Sequence, residues 1–338
     1  MAADVRAAAF SGRSLAKGLA ACCALVAAAL LFGLIVGPTK VDFGRVFAGD
    51  DSLRDLFKVL EIRLPKACAA LIVGGCLAVA GVIFQALIHN PLASPYVLGV
   101  SAGGSLGAVI ALALGFVVVV PFAFVGSLLA ITIVYFVARR GGRVPADTLL
   151  LGGVVLNAFF SACIMFVTYT TGSDRTLHIM RWLVGGLSEV YDGATLIGSG
   201  ILLLALAVAA WAMGRPLNLL AVSDDTAERL GVDVGSLRRR LFFVGSFLTA
   251  VAVSIAGPIG FVGLIIPHIL RMVVGADHRL LIPLTMLAGG AFLAFADTIA
   301  GVVWKVPLPV GLVTAFVGAP FFVWLMRTRD PRKGGHGF

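Results

Sequence analysis

Apolar residues run along this chain in long unbroken stretches, such as ALVAAALLFGLIV near the N-terminus, instead of alternating with polar ones. A helix needs roughly 20 residues to cross a hydrocarbon core of about 30 Å. Stretches of that length recur between short polar breaks and predict ten helices, at 17–37, 67–88, 94–114, 117–138, 148–171, 193–213, 241–257, 260–275, 280–300 and 309–327. A membrane barrel would show segments of about ten alternating residues. The expected class is an all-α integral membrane protein. Its domain organisation reads as an N-terminal segment 1–16, one ten-helix domain 17–327 with a polar loop at 214–240, and a tail 328–338. The first stretch ends in Gly37-Pro38 without a small-x-small cleavage pattern, so it reads as a retained helix and not a signal peptide.

Composition agrees with the pattern: the 338 residues are 60% hydrophobic and 13% charged, with a mean hydropathy of +1.05. Charge adds orientation. An even helix count places both termini on one side, and 17 of the 26 basic residues fall in the termini and the alternate loops that share it. Six of the others lie in 38–66, diluted by Asp42, Asp50, Asp51, Asp55 and Glu61. Both termini are therefore expected in the cytoplasm. The net charge of +9 is spread over several loops, so no nucleic-acid partner is expected.

Motifs for chemistry are sparse. The five cysteines lie in apolar runs without a C-x-x-C pair, and there is neither H-E-x-x-H nor a phosphate-cradling G-x-x-x-x-G-K-[ST]. No metal or cofactor is expected on this chain, and any ATP must be bound elsewhere. GVSAG at 99–103 matches a nucleophile pattern, and an intramembrane serine hydrolase would pair Ser101 with His268 or His178. Here, however, the serine opens the small-residue run SAGGSLGA, which suits close helix packing. An ion-coupled secondary carrier would want a carboxylate at mid-membrane, whereas Asp147 and Asp297 fall near span ends.

The loop 215–240 is more telling. Ser223 is an N-cap before DDTAERLG, Asp224 and Asp225 suit the positive end of a helix dipole, and Gly231 supplies the C-cap. A short capped helix outside the membrane is a connector or a docking element.

Four stretches carry a family resemblance: IRLPK at 62–66 with HNPLASPYVLGVSAG at 89–103, LNLLAVSDDTAERLGVD at 217–233, the run from Gly257 to Asp297, and PVGLVTAFVGAPFF at 309–322. From about residue 55 to 327 the chain resembles the permease subunits of iron-chelate, haem and cobalamin ABC importers, the FecCD/BtuC-like family. The resemblance implies a BtuC-like type II fold in the bacterial inner membrane. It also implies a homodimer around one path, two ATP-binding-cassette ATPase subunits carrying ATP and Mg, a periplasmic substrate-binding protein, and surrounding membrane lipid. The cargo would be a ferric siderophore or haem, with cobalamin as the alternative.

Residue by residue, the resemblance assigns ATPase coupling to Leu219, Leu220, Asp224, Asp225, Glu228, Arg229 and Leu230. Binding-protein docking falls to Arg63 and Lys66; a third family arginine is replaced by Gly301, with Lys305 nearby as a substitute. Asn90 and Leu92, with Ala146 and Asp147, match the cytoplasmic gate. At the outer mouth a short helix within 168–193 would carry Arg175, His178 and Arg181 toward an anionic chelate. Pro267, His268 and Arg271 read as a helix-end hinge and docking surface, with Arg271 near the last carbonyls of its helix.

Overall fold

A computed structural model of the chain describes residues 12–37, 58–139, 145–188, 191–304 and 306–328. Lys305, the terminal segments and most of the 38–66 loop lie outside the described residues. The described residues form thirteen α-helices, α1 Gly12–Ile35, α2 Leu64–Leu87, α3 Val100–Leu114, α4 Val120–Ala138, α5 Ala146–Thr170, α6 Ser173–Val184, α7 Gly193–Ala212, α8 Gly214–Leu220, α9 Asp224–Arg229, α10 Val234–Ala256, α11 Val262–Val274, α12 His278–Val302 and α13 Val310–Thr328. A π-helical turn, Lys58–Arg63, leads into α2, and a 3-10 turn, Pro95–Leu98, precedes α3.

The ten predicted spans correspond to α1–α5, α7 and α10–α13. Among the described residues, seven helices are long and apolar enough to cross a membrane by length and composition. The helix predicted at 241–257 begins at Val234, because Asp233 caps it by accepting from Ser236 N at 3.0 Å. Its first turns carry Arg238, Arg239 and Arg240, so hydropathy alone placed the start too late.

Helix α2 is the centre of the bundle and is buried along almost its whole length. Its 24 residues span about 36 Å. Neighbouring backbones approach it through glycine: a methyl on Gly74 would overlap the Gly289 carbonyl of α12, and one on Gly81 would overlap the Gly263 carbonyl of α11. Gly103 on α3 and Gly126 on α4 meet in the same way. In lipid there is no hydrophobic drive to bring helices together, so this close backbone packing does that work. Helices α1, α4, α5 and α7 stay mostly exposed, with apolar side chains such as Leu151, Phe159 and Phe166 outward.

Among the helices that match predicted spans, two are too short to cross alone: α3 has 15 residues and α11 has 13, about 22 and 20 Å. Each follows an irregular stretch, 88–99 with its 3-10 turn before α3 and 257–261 before α11. These stretches meet one another. Tyr96 Oη donates to the Ile259 carbonyl and accepts from Ile259 N at 2.7 Å, so one hydroxyl satisfies both backbone groups of that residue. Irregular backbone is tolerated in a membrane protein only where protein buries it and completes its hydrogen bonds. Phe261, at φ +69, then starts α11 with its ring against Gly318 of α13.

Candidate coupling and docking surfaces

Helices α8 and α9 fill the predicted capped loop. Pro216 lies in the first turn of α8, where a missing N–H costs nothing, so the helix begins at Gly214 and not after the proline. Ser223 caps α9 by accepting from Thr226 N at 3.1 Å, and Gly231, at φ +84, ends it in the left-handed region.

Three attachments hold this pair to the bundle. Asn218 Nδ2 donates to Asp277 Oδ1 at 2.9 Å, while its Oδ1 accepts from His278 N at 2.8 Å and His278 Nδ1 at 2.7 Å. Arg238 on α10 donates to both Asp224 oxygens, at 2.8 and 2.9 Å. His89, just past α2, donates Nε2–H to the Leu220 carbonyl at 2.6 Å and lies 3.7 Å from Asp224. Burial alone would raise the carboxyl of Asp277, but bonds from Arg279 and Asn218 bring it down to about 2.

What remains outward is a compact patch. Asp225, Glu228 and Arg229 are exposed, with Val222 at 61% and Leu230 at 63% exposure. The expected coupling set thus divides. Leu220 is fully buried and Leu219 half-buried, because they pack α8 onto the core, and Asp224 is tied to Arg238. Val222 joins the outward group, which the sequence reading had not included.

Of the expected gate residues, Asn90 and Leu92 follow His89 directly in the chain. Asn90 and Leu92 are exposed, and Asn90 Oδ1 accepts from Leu92 N at 2.8 Å while Asn90 N donates to the Gln85 carbonyl at 3.1 Å. Asp147 is exposed and Ala146 half-buried in the first turn of α5. Further along α5, Asn157 Nδ2 donates to the Tyr96 and Val97 carbonyls at 2.9 and 3.2 Å, joining that helix to the 3-10 turn.

The Pro-His-Arg group on α11 differs from expectation. Pro267 and His268 are buried, the latter at 6% exposure, so neither offers a docking surface. Arg271 donates to Gln85 Oε1 at 2.8 Å, and Gln85 Nε2 donates to the Gly263 carbonyl at 3.1 Å. The arginine therefore reaches across to α2, where a buried amide gives it a fixed acceptor.

At the opposite end of α2, Arg63 is buried and donates to the Leu34 and Ile35 carbonyls, closing the C-terminal end of α1. Lys66 forms an ion pair with Asp297 at 3.0 Å. Both cations expected to face a docking protein are thus engaged within the chain. They line a cavity of about 60 Å³ with Asp297, Thr298 and Gly301. Helix α6 displays Arg175, His178 and Arg181 on its exposed surface, and Arg175 also donates to the Ala113 carbonyl at 2.6 Å. Ser101 is buried within α3, and among the described residues no cluster of three or more His, Cys, Asp or Glu has metal-ligand placement.

Sequence reasoning missed His89, Gln85, Tyr96, Asn157, Asn218 and Arg238. Their partners lie far along the chain, so no local spacing announces them. The polar residues among an apolar run, Gln85 above all, were the one available signal.

Comparison with known proteins gives consistent results. The model of the FecCD transport family matches residues 25–328. The cobalamin import system permease protein BtuC of Halobacterium salinarum is 43% identical over 281 residues, covering 80% of this chain and 73% of that protein. The hemin transport system permease protein HmuU of Yersinia pestis is 38% identical, covering 81% and 85%. A solved structure of a metal-chelate type ABC transporter in an inward-facing conformation matches with a TM-score of 0.80 at 29% identity, covering 93% of this chain and 99% of the other.

Proposed function

The chain belongs to the FecCD transport family, and from that premise we propose that it moves a bulky metal chelate, an iron chelate in the first reading, through a path shared by two copies of itself. It is a transport subunit, a multi-pass permease of the inner (cytoplasmic) membrane that works with ATPase and substrate-binding components. ATP and Mg belong to two separate ATPase subunits in this proposal, and the chain itself binds no cofactor.

The observation that carries the reading is the α8–α9 pair. A rigid, capped element anchored on α2, α10 and α12 presents Asp225, Glu228, Arg229, Val222 and Leu230 away from the bundle. Its apolar side chains suit a groove on an ATPase, and its charges set register. Closure of the ATPase pair on nucleotide would then push on three transmembrane helices at once. The exposed apolar faces of α1, α4 and α7 meet lipid, and the exposed face of α5 is the one proposed to line the path between copies.

The substrate-binding protein docks at the end bearing α6 in this scheme. Ferric siderophore or haem is the primary cargo class in this reading, and the largely apolar exposed face of α5, with Leu151, Phe159 and Phe166 outward, would let a bulky chelate pass without gripping it. The cobalamin reading is favoured by the 43% identical relative, whose name states that cargo.

Reconstitution in proteoliposomes tests this proposal. With the ATPase and binding protein present, ATP should drive uptake of one among haem, a ferric siderophore and cobalamin. Ala227→Pro, which breaks α9 at its buried residue, should abolish uptake and transport-stimulated hydrolysis while the permease still folds. Uptake without any ATPase, or unchanged uptake by that variant, would overturn the reading.

A further inference from the structure

The residue that joins the outward patch to the exposed turn after α2 is His89. Its backbone sits at φ +53, a region that non-glycine residues rarely occupy. Its ring crosses to α8 and donates to the Leu220 carbonyl at 2.6 Å. That carbonyl lies at the C-terminal end of α8, where helix carbonyls lose their intrahelical donors. The same Nε2 faces Asp224, which Arg238 already clamps from α10. On its other side His89 is covalently continuous with Asn90, whose side chain shapes the 90–92 turn and whose N–H is fixed on Gln85.

We infer that His89 is a positioning residue that carries displacement of α8–α9 into the 90–92 turn. This rests on the reading of α8–α9 as the ATPase-coupling element. The physical case is one of stiffness. Buried Leu217 and Leu220 hold α8 to the core, but apolar packing permits sliding, whereas a short hydrogen bond to a backbone carbonyl fixes distance and direction. The turn on the far side is equally constrained, through Gln85 to Gly263 and Arg271 of α11. A push on α9 therefore reaches α2, the exposed turn and α11 through side chains with defined acceptors. Covalent linkage alone would not do this, since α2 and α8 lie far apart in sequence.

Two substitutions separate the ring from the backbone. His89→Gly removes the ring while favouring the positive φ, so the turn keeps its shape. His89→Gln restores a side-chain N–H able to reach the Leu220 carbonyl. In the reconstituted assembly of permease, ATPase and binding protein, the Gly variant should transport about fivefold less substrate per ATP hydrolysed, the scale expected for loss of one coupling contact. Assembly and the KM for ATP should be unchanged, and the Gln variant should recover most of the loss. A merely structural role would lower assembly yield and leave the transport-to-hydrolysis ratio intact. If the wild-type assembly neither hydrolyses ATP nor transports, the coupling reading and this inference fall together. If it does both and His89→Gly keeps the wild-type ratio, or Gln fails to recover it, only the inference falls.

Discussion

The two ends of the bundle are held by different chemistry. At the α8–α9 end the fastenings are polar and long-range: His89 to Leu220, Asp224 to Arg238, and Asn218 to Asp277 and His278. At the α6 end they are largely backbone on backbone. A methyl on Gly185 would overlap the Pro258 carbonyl, one on Gly311 would overlap the Val184 carbonyl, and Gly186 N donates to the Ala256 carbonyl at 2.8 Å. The exceptions are the Lys66–Asp297 pair and two arginines, Arg63 and Arg175, which donate to the Leu34, Ile35 and Ala113 carbonyls. A side-chain hydrogen bond between two helices fixes distance and direction and so carries a displacement from one to the other, while fitted backbones separate only with loss of packing. The difference teaches that the α8–α9 end is built to transmit motion and the other end to keep its shape.

The largest effect should come from the close-packed centre that both ends share. Gly81→Val would drive a branched side chain into the Gly263 backbone, where neither neighbour is a flexible side chain, and should remove folded protein from detergent extracts. Normal yield and thermal stability would break the claim that backbone contact holds α2 to α11.

The ion pair at the α6 end comes next. Lys66→Met leaves Asp297 largely buried without its cation and should destabilise the permease by about 3 kcal/mol, with Asp297→Asn added on top restoring much of the loss. Thermal unfolding of the single and double variants measures this, and additive losses would count against the pairing.

Asp224→Asn should have a smaller effect on stability, about 1 kcal/mol, because the carboxylate is 41% exposed and water screens it. Its effect on transport per ATP should exceed its effect on melting, which is the sign of a transmitting contact. Equal losses at both ends would erase the comparison.

The smallest prediction concerns pH. The Asp277 carboxyl is held at about 2 against an ordinary value of 3.8, so its contribution is complete above 3.8 and is lost as pH falls through about 2. Acid unfolding of Asp277→Asn should therefore show a weaker dependence in that window than the wild type. An identical dependence would place the fastening elsewhere.

Hydrophobic runs and loop charge were enough to determine an all-α membrane protein with ten apolar helices, because solvation by lipid is a local property that each segment carries alone. Caps were legible for the same reason: Ser223 and Gly231 act within one turn of their own positions. Motif resemblance added the family, which hydropathy could not. What tertiary structure alone decided was the direction in which each polar side chain is used. Arg63 and Lys66 turn inward, Arg271 reaches α2, Leu220 is core and His89 joins two helices, because each choice depends on a partner brought near only by folding. Burying a polar group without a partner in this interior is unfavourable, so the fold, not the local sequence, sets those pairings.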